Sequence, residues 1–178
     1  MSIRRYVLTG APGSGKTVLA EALRERGHAV VAEAATDVIA DLRAQGVDEA
    51  WREPAMFADK ILAVQIERQR AATGAVQVYD RSPLCTLALA RWLGSEPTAA
   101  LSAEAERLTA EGIYQPEVFL VQPLGFVTPT AARRISYADS LRFAAVHEDV
   151  YREYGFTLVE VPPVPVAQRV ALVERHLT

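Results

Sequence analysis

Residues 10–17 combine three glycines with a lysine and a hydroxyl side chain, in the order Gly10-Ala11-Pro12-Gly13-Ser14-Gly15-Lys16-Thr17. This order fits the pattern G-x-x-x-x-G-K-[ST], in which backbone N–H groups curl around phosphate oxygens because glycine has no Cβ and accepts positive φ. In such a loop the lysine faces the ligand and reaches the β- and γ-phosphates, and the threonine hydroxyl ligates Mg²⁺. The eight residues therefore predict a nucleotide phosphate-binding loop (P-loop).

The segments on either side of this loop have the patterns that it requires. Tyr6-Val7-Leu8 is a short apolar strand, and residues 18–25 are typical of a helix. The positive N-terminal end of that helix would point at the bound anion. A strand, a glycine-rich loop and a helix in this order favour a phosphate site over a turn that binds nothing.

Charged residues stand at the ends of the next two predicted strands. Glu33 follows the strand at 28–32, and Asp80-Arg81 follows the strand at 75–79. Asp80 is expected to hold Mg²⁺ or its waters opposite the P-loop hydroxyl, or else to serve only as a helix N-terminal acid. Arg81 is expected to face an acceptor or phosphate, with a structural ion pair as the alternative. Glu33 is either a site residue or a first-turn helix acid.

A further pair of arginines, Arg133 and Arg134, lies in a segment at 124–135 that has glycine, proline and no hydrophobic period. The segment is predicted to be a mobile loop. The planar guanidinium binds phosphate through two parallel hydrogen bonds, so one interpretation is that these arginines close over the transferring phosphate. The other interpretation is a solvated charge pair.

Predicted strands and helices alternate along the whole chain. This alternation predicts an α/β fold with one P-loop domain over residues 1–178, whose five-stranded parallel sheet is covered by helices on both faces. Ligands then bind at the carboxyl ends of the strands. The predicted strands lie at 3–9, 28–32, 75–79, 117–122 and 156–161, and the predicted helices at 18–25, 34–45, 51–73, 84–93, 98–112, 136–154 and 166–176.

The composition limits the expected cellular compartment and the expected binding partners. The net charge of −3 gives no electrostatic argument for binding nucleic acid or an anionic membrane. Cys85 is alone, so no internal disulfide forms, as is typical of the cytosol. No apolar run approaches the ~20 residues of a membrane span, and no signal peptide is expected before the first strand. We therefore expect a cytoplasmic monomer or homodimer. Its histidines share no metal-ligand spacing and stand at His28, His147 and His176.

The chain resembles the small P-loop kinase-like ATPases of the NadR-type AAA domains, which are related to the deoxynucleoside kinases and thymidylate kinase. The segments that carry the resemblance are GAPGSGKT, VVAEAATDVI, VYDRSP, EVFLVQP and the arginine-bearing loop. The resemblance implies that Glu33 is a base or a substrate ligand. It also implies a site role for Asp80-Arg81-Ser82.

Two functions remain open. The first is a phosphotransferase that moves the γ-phosphate of ATP, or alternatively GTP, to a nucleoside, nucleotide or ribosylnicotinamide acceptor with the help of Mg²⁺. The second is a nucleotide-binding regulatory NTPase without a small acceptor. A Ras-like switch is disfavoured because no aspartate has glycine three residues later and the chain contains no asparagine. The candidate catalytic residues are Lys16, Glu33, Asp80, Arg81, Arg133 and Arg134.

Overall fold

A computed structural model describes residues 3–125 and 135–177. Within these ranges five strands form one sheet in which every neighbouring pair is parallel, in the order β2-β3-β1-β4-β5. The predicted α/β fold with a five-stranded parallel sheet is confirmed. The strands are β1 (Arg4–Thr9), β2 (Ala29–Val31), β3 (Val76–Asp80), β4 (Glu117–Val121) and β5 (Thr157–Val161).

Helices cover both faces of the sheet, as the near-continuous apolar strands require. On one face, helices α1 and α7 pack against the sheet, and on the other α3, α4, α5 and α6 share a second core. Val7 and Leu8, adjacent in β1, point to opposite faces and are both fully buried. The helices are α1 (Lys16–Glu25), α2 (Ala35–Ala44), α3 (Pro54–Ala71), α4 (Pro83–Trp92), α5 (Ala99–Ala110), α6 (Tyr137–Glu153) and α7 (Val166–Glu174).

The single helix predicted over residues 51–73 is wrong at its start. A 3₁₀ turn occupies Ala50–Arg52, and α3 begins only at Pro54. Glu53 between them has φ −118° and ψ 74°, because proline disfavours the helical conformation of the residue before it. Pro54 itself begins a helix well, since the N–H that it lacks would have no partner in the first turn.

The turn and the two helices around it form a small third cluster outside the sheet. Buried side chains of α2 and α3 meet there beside Ala50 of the 3₁₀ turn, namely Val38, Ile39, Leu42, Phe57 and Ile61. This cluster stands beyond the strand ends. It therefore supplies a wall for a cleft there and takes no part in the sheet core.

The order of the strands places a crevice at the carboxyl ends of β1 and β3. The chain leaves β1 toward β2 but leaves β3 in the opposite direction, toward β4, and such a switch point is where open α/β sheets bind ligands. Leu8 pairs with Asp80 in the parallel register. The end of β3 thus lies beside the start of the glycine-rich loop.

The predicted loop at 124–135 lies largely outside the described residues. Residues 126–134 lie outside the described ranges, and Arg133 and Arg134 lie there. In the described part of the chain, no helix is both long and apolar enough to cross a membrane.

Candidate active site

The glycine-rich loop between β1 and α1 has backbone angles that depend on its glycines. Gly10 has φ 132°, and a Cβ at this position would lie 2.5 Å from the carbonyl oxygen of Val121. Gly15 has φ 83°, and a Cβ there would lie 2.9 Å from Nη1 of Arg169. Any larger residue at either position would displace a neighbour or strain the loop. The loop therefore has the curled backbone that the motif predicts.

The side chain of Lys16 lies inside the curl of the loop. Its ammonium donates to the carbonyl oxygens of Gly10 at 3.0 Å and Ala11 at 2.6 Å, and to Oγ of Ser14 at 3.0 Å. Lys16 lines the cleft, yet only 5% of it is exposed. Burial, and next the charge of Arg81, lower its pKa from 10.5 to about 7. The motif alone does not reveal this burial. Burying the charged ammonium costs free energy, and an anion bound next to it would offset that cost.

Thr17 and Asp80, the two side chains predicted to hold Mg²⁺, lie within hydrogen-bond distance of each other. The hydroxyl of Thr17 donates to Oδ2 of Asp80 at 3.3 Å. The other carboxylate oxygen, Oδ1, is buried and has no hydrogen-bond partner among the described residues. Burial raises the pKa of Asp80, and the nearby charges of Lys16 and Arg81 partly oppose this. A buried acceptor without a donor, next to a threonine hydroxyl, fits a Mg²⁺ ion or its waters.

Arg81 turns the chain sharply between β3 and α4. It has φ 76°, the only positive φ of a non-glycine residue in the described ranges. Its backbone N–H donates to the carbonyl oxygen of Leu8 at 3.1 Å, which ties the turn to β1. Such a conformation costs on the order of 1–3 kcal/mol and persists only where surrounding contacts enforce it. The turn aims the guanidinium at Glu33 and His147.

Glu33 is held at the end of β2 by contacts on both carboxylate oxygens. Its Oε1 lies 3.3 Å from Nε of Arg81, and its Oε2 accepts a hydrogen bond from the hydroxyl of Thr36 at 2.7 Å. The guanidinium of Arg68 donates to the carbonyl oxygens of Ala32 and Glu33, so the backbone here is also anchored. Glu33 and Arg81, predicted separately from two strand ends, therefore form one pair.

A single cleft of about 1150 Å³ joins these groups to a second, more apolar region. Its polar end contains the P-loop with Glu33, Asp80 and Arg81. The rest lies between α2, α3, α4 and α6, and most of its wall residues are aromatic or aliphatic. Its polar side chains are those of Thr36, Arg43, Glu49, Gln65, Thr86 and Asp139. The residues that form these walls include Ile39, Trp51, Phe57, Ile61, Leu89, Trp92 and Phe143.

The comparisons with known proteins agree with this geometry. A family model described as an AAA domain matches residues 5–169. The chain belongs to this AAA domain family. No curated protein sequence matches it significantly.

Solved structures of the same fold include those of a deoxyadenosine kinase from M. mycoides. The form with bound dATP has a TM-score of 0.63 at 13% identity, and the form with bound dCTP has 0.58 at 12%. The form with the products dCMP and a flexible dCDP has a TM-score of 0.60 at 13% identity. Each alignment covers 97% of this chain and 98% of that chain. Membership of the AAA domain family and the fold of a deoxynucleoside kinase, both predicted from the sequence, are confirmed. They support the predicted class of enzyme, a kinase or ATPase.

Two residues that the sequence did not single out also belong to the site. Arg169 of α7 donates from Nη1 to the carbonyl oxygen of Ser14 and from Nε to that of Val164, so it ties the P-loop to the turn after β5. His147 of α6 contacts Arg81. Neither carries a sequence signal, because each lies 66 or more residues from its partner in the site. Only the packing of α6 and α7 brings them there.

Proposed function

We propose that the protein transfers the γ-phosphoryl group of ATP to a hydroxyl of a nucleoside-like acceptor. The observation that carries the proposal is the continuous cleft, which extends from Lys16 past Glu33 and Arg81 into an aromatic-walled region. The second region offers room for an acceptor beside the phosphates. Ligand pockets are typically about 300–1,000 Å³, so a cleft of about 1150 Å³ has room for more than a phosphate tail.

The walls of the second region suit a flat ring attached to a sugar. Aromatic side chains such as Trp51 and Phe57 offer surfaces against which a base can pack. The amide oxygen of Gln65 accepts a hydrogen bond from the hydroxyl of Thr86 at 2.9 Å. This contact fixes the amide so that its NH₂ group is the free donor for a ring acceptor. The acceptor is therefore a nucleoside, a nucleotide or a ribosylnicotinamide-like compound.

Each charged group then has a role in the transfer. Lys16 and the backbone N–H groups of the P-loop bind the β- and γ-phosphates, and Arg81 stabilises charge on the transferring group. Thr17 and Asp80 would hold Mg²⁺, which would supply positive charge against the phosphates. Glu33 orients the acceptor hydroxyl and takes its proton. Arg133 and Arg134, outside the described residues, are proposed to add positive charge near the phosphates.

The test is a transfer assay with pure protein, Mg²⁺ and labelled ATP or GTP against a panel of nucleosides, nucleotides and ribosylnicotinamide. We expect one group of related acceptors to be phosphorylated. A Lys16→Met preparation, purified in parallel, accounts for contaminating kinases. ATP binding or hydrolysis without any phosphorylated acceptor would instead support a regulatory NTPase.

The metal assignment predicts a selective defect for Asp80→Asn. The amide is nearly isosteric with the carboxylate but has no negative charge for Mg²⁺, so the apparent Mg²⁺ affinity in turnover should fall by at least ~10- to 100-fold. ATP binding without metal should change little, as measured by calorimetry in EDTA. The exposed Asp149→Asn on α6 is the control. An equal loss of both properties would make Asp80 a structural residue.

The buried position of Lys16 predicts a pH dependence of nucleotide binding. Its pKa is about 7 in the free protein, and bound phosphates would keep the ammonium charged. Binding above pH 7 must then take up a proton, about 0.9 per site at pH 8, and ATP affinity should fall nearly tenfold per pH unit. Calorimetry in two buffers of different ionisation enthalpy measures the uptake. Lys16→Arg, whose guanidinium does not titrate, should show none, and wild-type binding without uptake would contradict the prediction.

A further inference from the structure

The guanidinium of Arg81 is only loosely fixed by its charged neighbours. The distance from Nε to Oε1 of Glu33 is 3.3 Å, longer than a strong charge-assisted hydrogen bond. Asp80 is a second carboxylate whose charge acts on the same guanidinium. Between two carboxylates, attraction alone does not define one position. Some other contact must hold Arg81 if it is to meet a phosphate in one orientation.

Besides the hydrogen bond that Arg81 makes with the thiol of Cys85, His147 supplies such a contact. Its Nε2 lies 3.1 Å from Nη1 of Arg81, and its Nδ1 lies 2.9 Å from the carbonyl oxygen of Phe143. A carbonyl oxygen only accepts, so Nδ1 carries the proton and Nε2 presents its lone pair to the guanidinium. The backbone of α6 thereby selects the tautomer that receives Arg81.

The environment keeps this imidazole neutral. His147 is fully buried, and its ring contacts that of Phe143 with centroids 4.4 Å apart and planes tilted by 49°. Burial, followed by the positive charge of Arg81 and a smaller effect from Lys16, holds the pKa of His147 well below its usual 6.5. A neutral acceptor fixes the guanidinium without cancelling its charge. A carboxylate at the same place would pair with Arg81 and weaken its attraction for phosphate.

We infer that His147 is a positioning residue for phosphoryl transfer, which acts by holding the guanidinium of Arg81 through Nε2. The inference rests on the proposed function. Nothing in it requires His147 to touch either substrate. Its effect should therefore appear in the rate of transfer rather than in the affinity for nucleotide.

The test uses two substitutions of His147 and measures kcat and KM for both substrates. His147→Phe keeps an aromatic ring against Phe143 but removes the acceptor, and kcat should fall by up to ~100-fold, because small misplacements of a catalytic group have effects of this size. The KM values should stay within about 2-fold. His147→Gln, whose Oε1 can accept from Arg81, should recover most of the lost kcat. His176→Gln, a histidine on the far side of the sheet beside Phe119, is the matched control.

A double-mutant cycle separates positioning from a general effect on packing. Once Arg81→Ala has removed the guanidinium, adding His147→Phe should cause no further loss of kcat. The inference would be overturned if the kcat losses of Arg81→Ala and His147→Phe multiplied in the double variant, or if His147→Phe kept full kcat. Transfer by the wild type would still support the proposed function in either case. A shift in KM alone would also overturn the inference.

Nitrogen-15 NMR tests the contact without an activity assay. It therefore still tests the inference if a variant folds poorly or if the wild type shows no transferase activity. Nitrogen-15 spectra of the wild type should show His147 protonated at Nδ1 and not at Nε2 between pH 6 and 8. The Nε2 resonance should shift in Arg81→Ala. Protonation at Nε2, or a resonance insensitive to Arg81, would contradict the contact itself. Absence of transfer in the wild type would contradict the proposed function instead.

Discussion

Replacing Lys16 by methionine is expected to reduce phosphoryl transfer by at least ~10²–10³-fold, the usual effect of removing one electrostatic group from a transition-state site. Methionine is chosen because Lys16 is buried and its stem fills space inside the loop. The substitution therefore removes the charge but keeps most of the volume. Steady-state rates together with ATP titration by calorimetry measure the loss.

Lys60 provides the control for this experiment, because it is the only other lysine in the sequence. It lies exposed on α3 and does not line the cleft. Lys60→Met should leave both ATP affinity and turnover unchanged. If Lys16→Met behaved like Lys60→Met, the nucleotide would not bind in the P-loop, and the assignment of the site would be wrong.

Glu33→Gln is expected to reduce transfer to the acceptor by about 10²–10⁴-fold, the typical contribution of a general base. The amide keeps the shape of the side chain and can still accept from Thr36, but it cannot take the proton of the acceptor hydroxyl. ATP affinity should change little, because the P-loop is intact. Single-turnover transfer and ATP titration are measured side by side on the same preparation.

Asp37→Asn is the matched control for Glu33→Gln. Asp37 is an exposed acid on α2 that pairs with Arg68 and does not line the cleft. Its loss should leave transfer unaffected. Full transferase activity in Glu33→Gln would show that Glu33 serves only to pair with Arg81. Loss of ATP affinity equal to the loss of transfer would place Glu33 in nucleotide binding.

The local signals in the sequence were sufficient to predict the fold and to predict that some of the candidate site residues lie close together. Alternating strands and helices predicted the parallel sheet, and strand-end residues were predicted to meet because parallel strands end at one edge. Asp80 and Thr17 accordingly lie within hydrogen-bond distance. The predicted helix began too early, at Trp51, because Pro54 determines where the backbone can become helical.

The structure changes the interpretation of Glu33 and Arg81. From the sequence each had two readings, a site residue or a structural charge. In the structure they form an ion pair and both line the cleft, so the two readings are not exclusive. The Glu33→Gln and Arg81→Ala variants measure whether these side chains act mainly on the bound substrate or mainly as an ion pair.

The sequence by itself determined the glycine-rich loop, the sheet and the sheet edge at which the candidate site residues lie, because these depend on residues close together in the chain and on strand direction. Tertiary structure alone decided what surrounds that loop. The burial that lowers the pKa of Lys16, the tie from Arg169 and the acceptor that His147 offers to Arg81 all come from elements far away in sequence. Burial and hydrogen-bond direction depend on packing in three dimensions, and no local pattern encodes them.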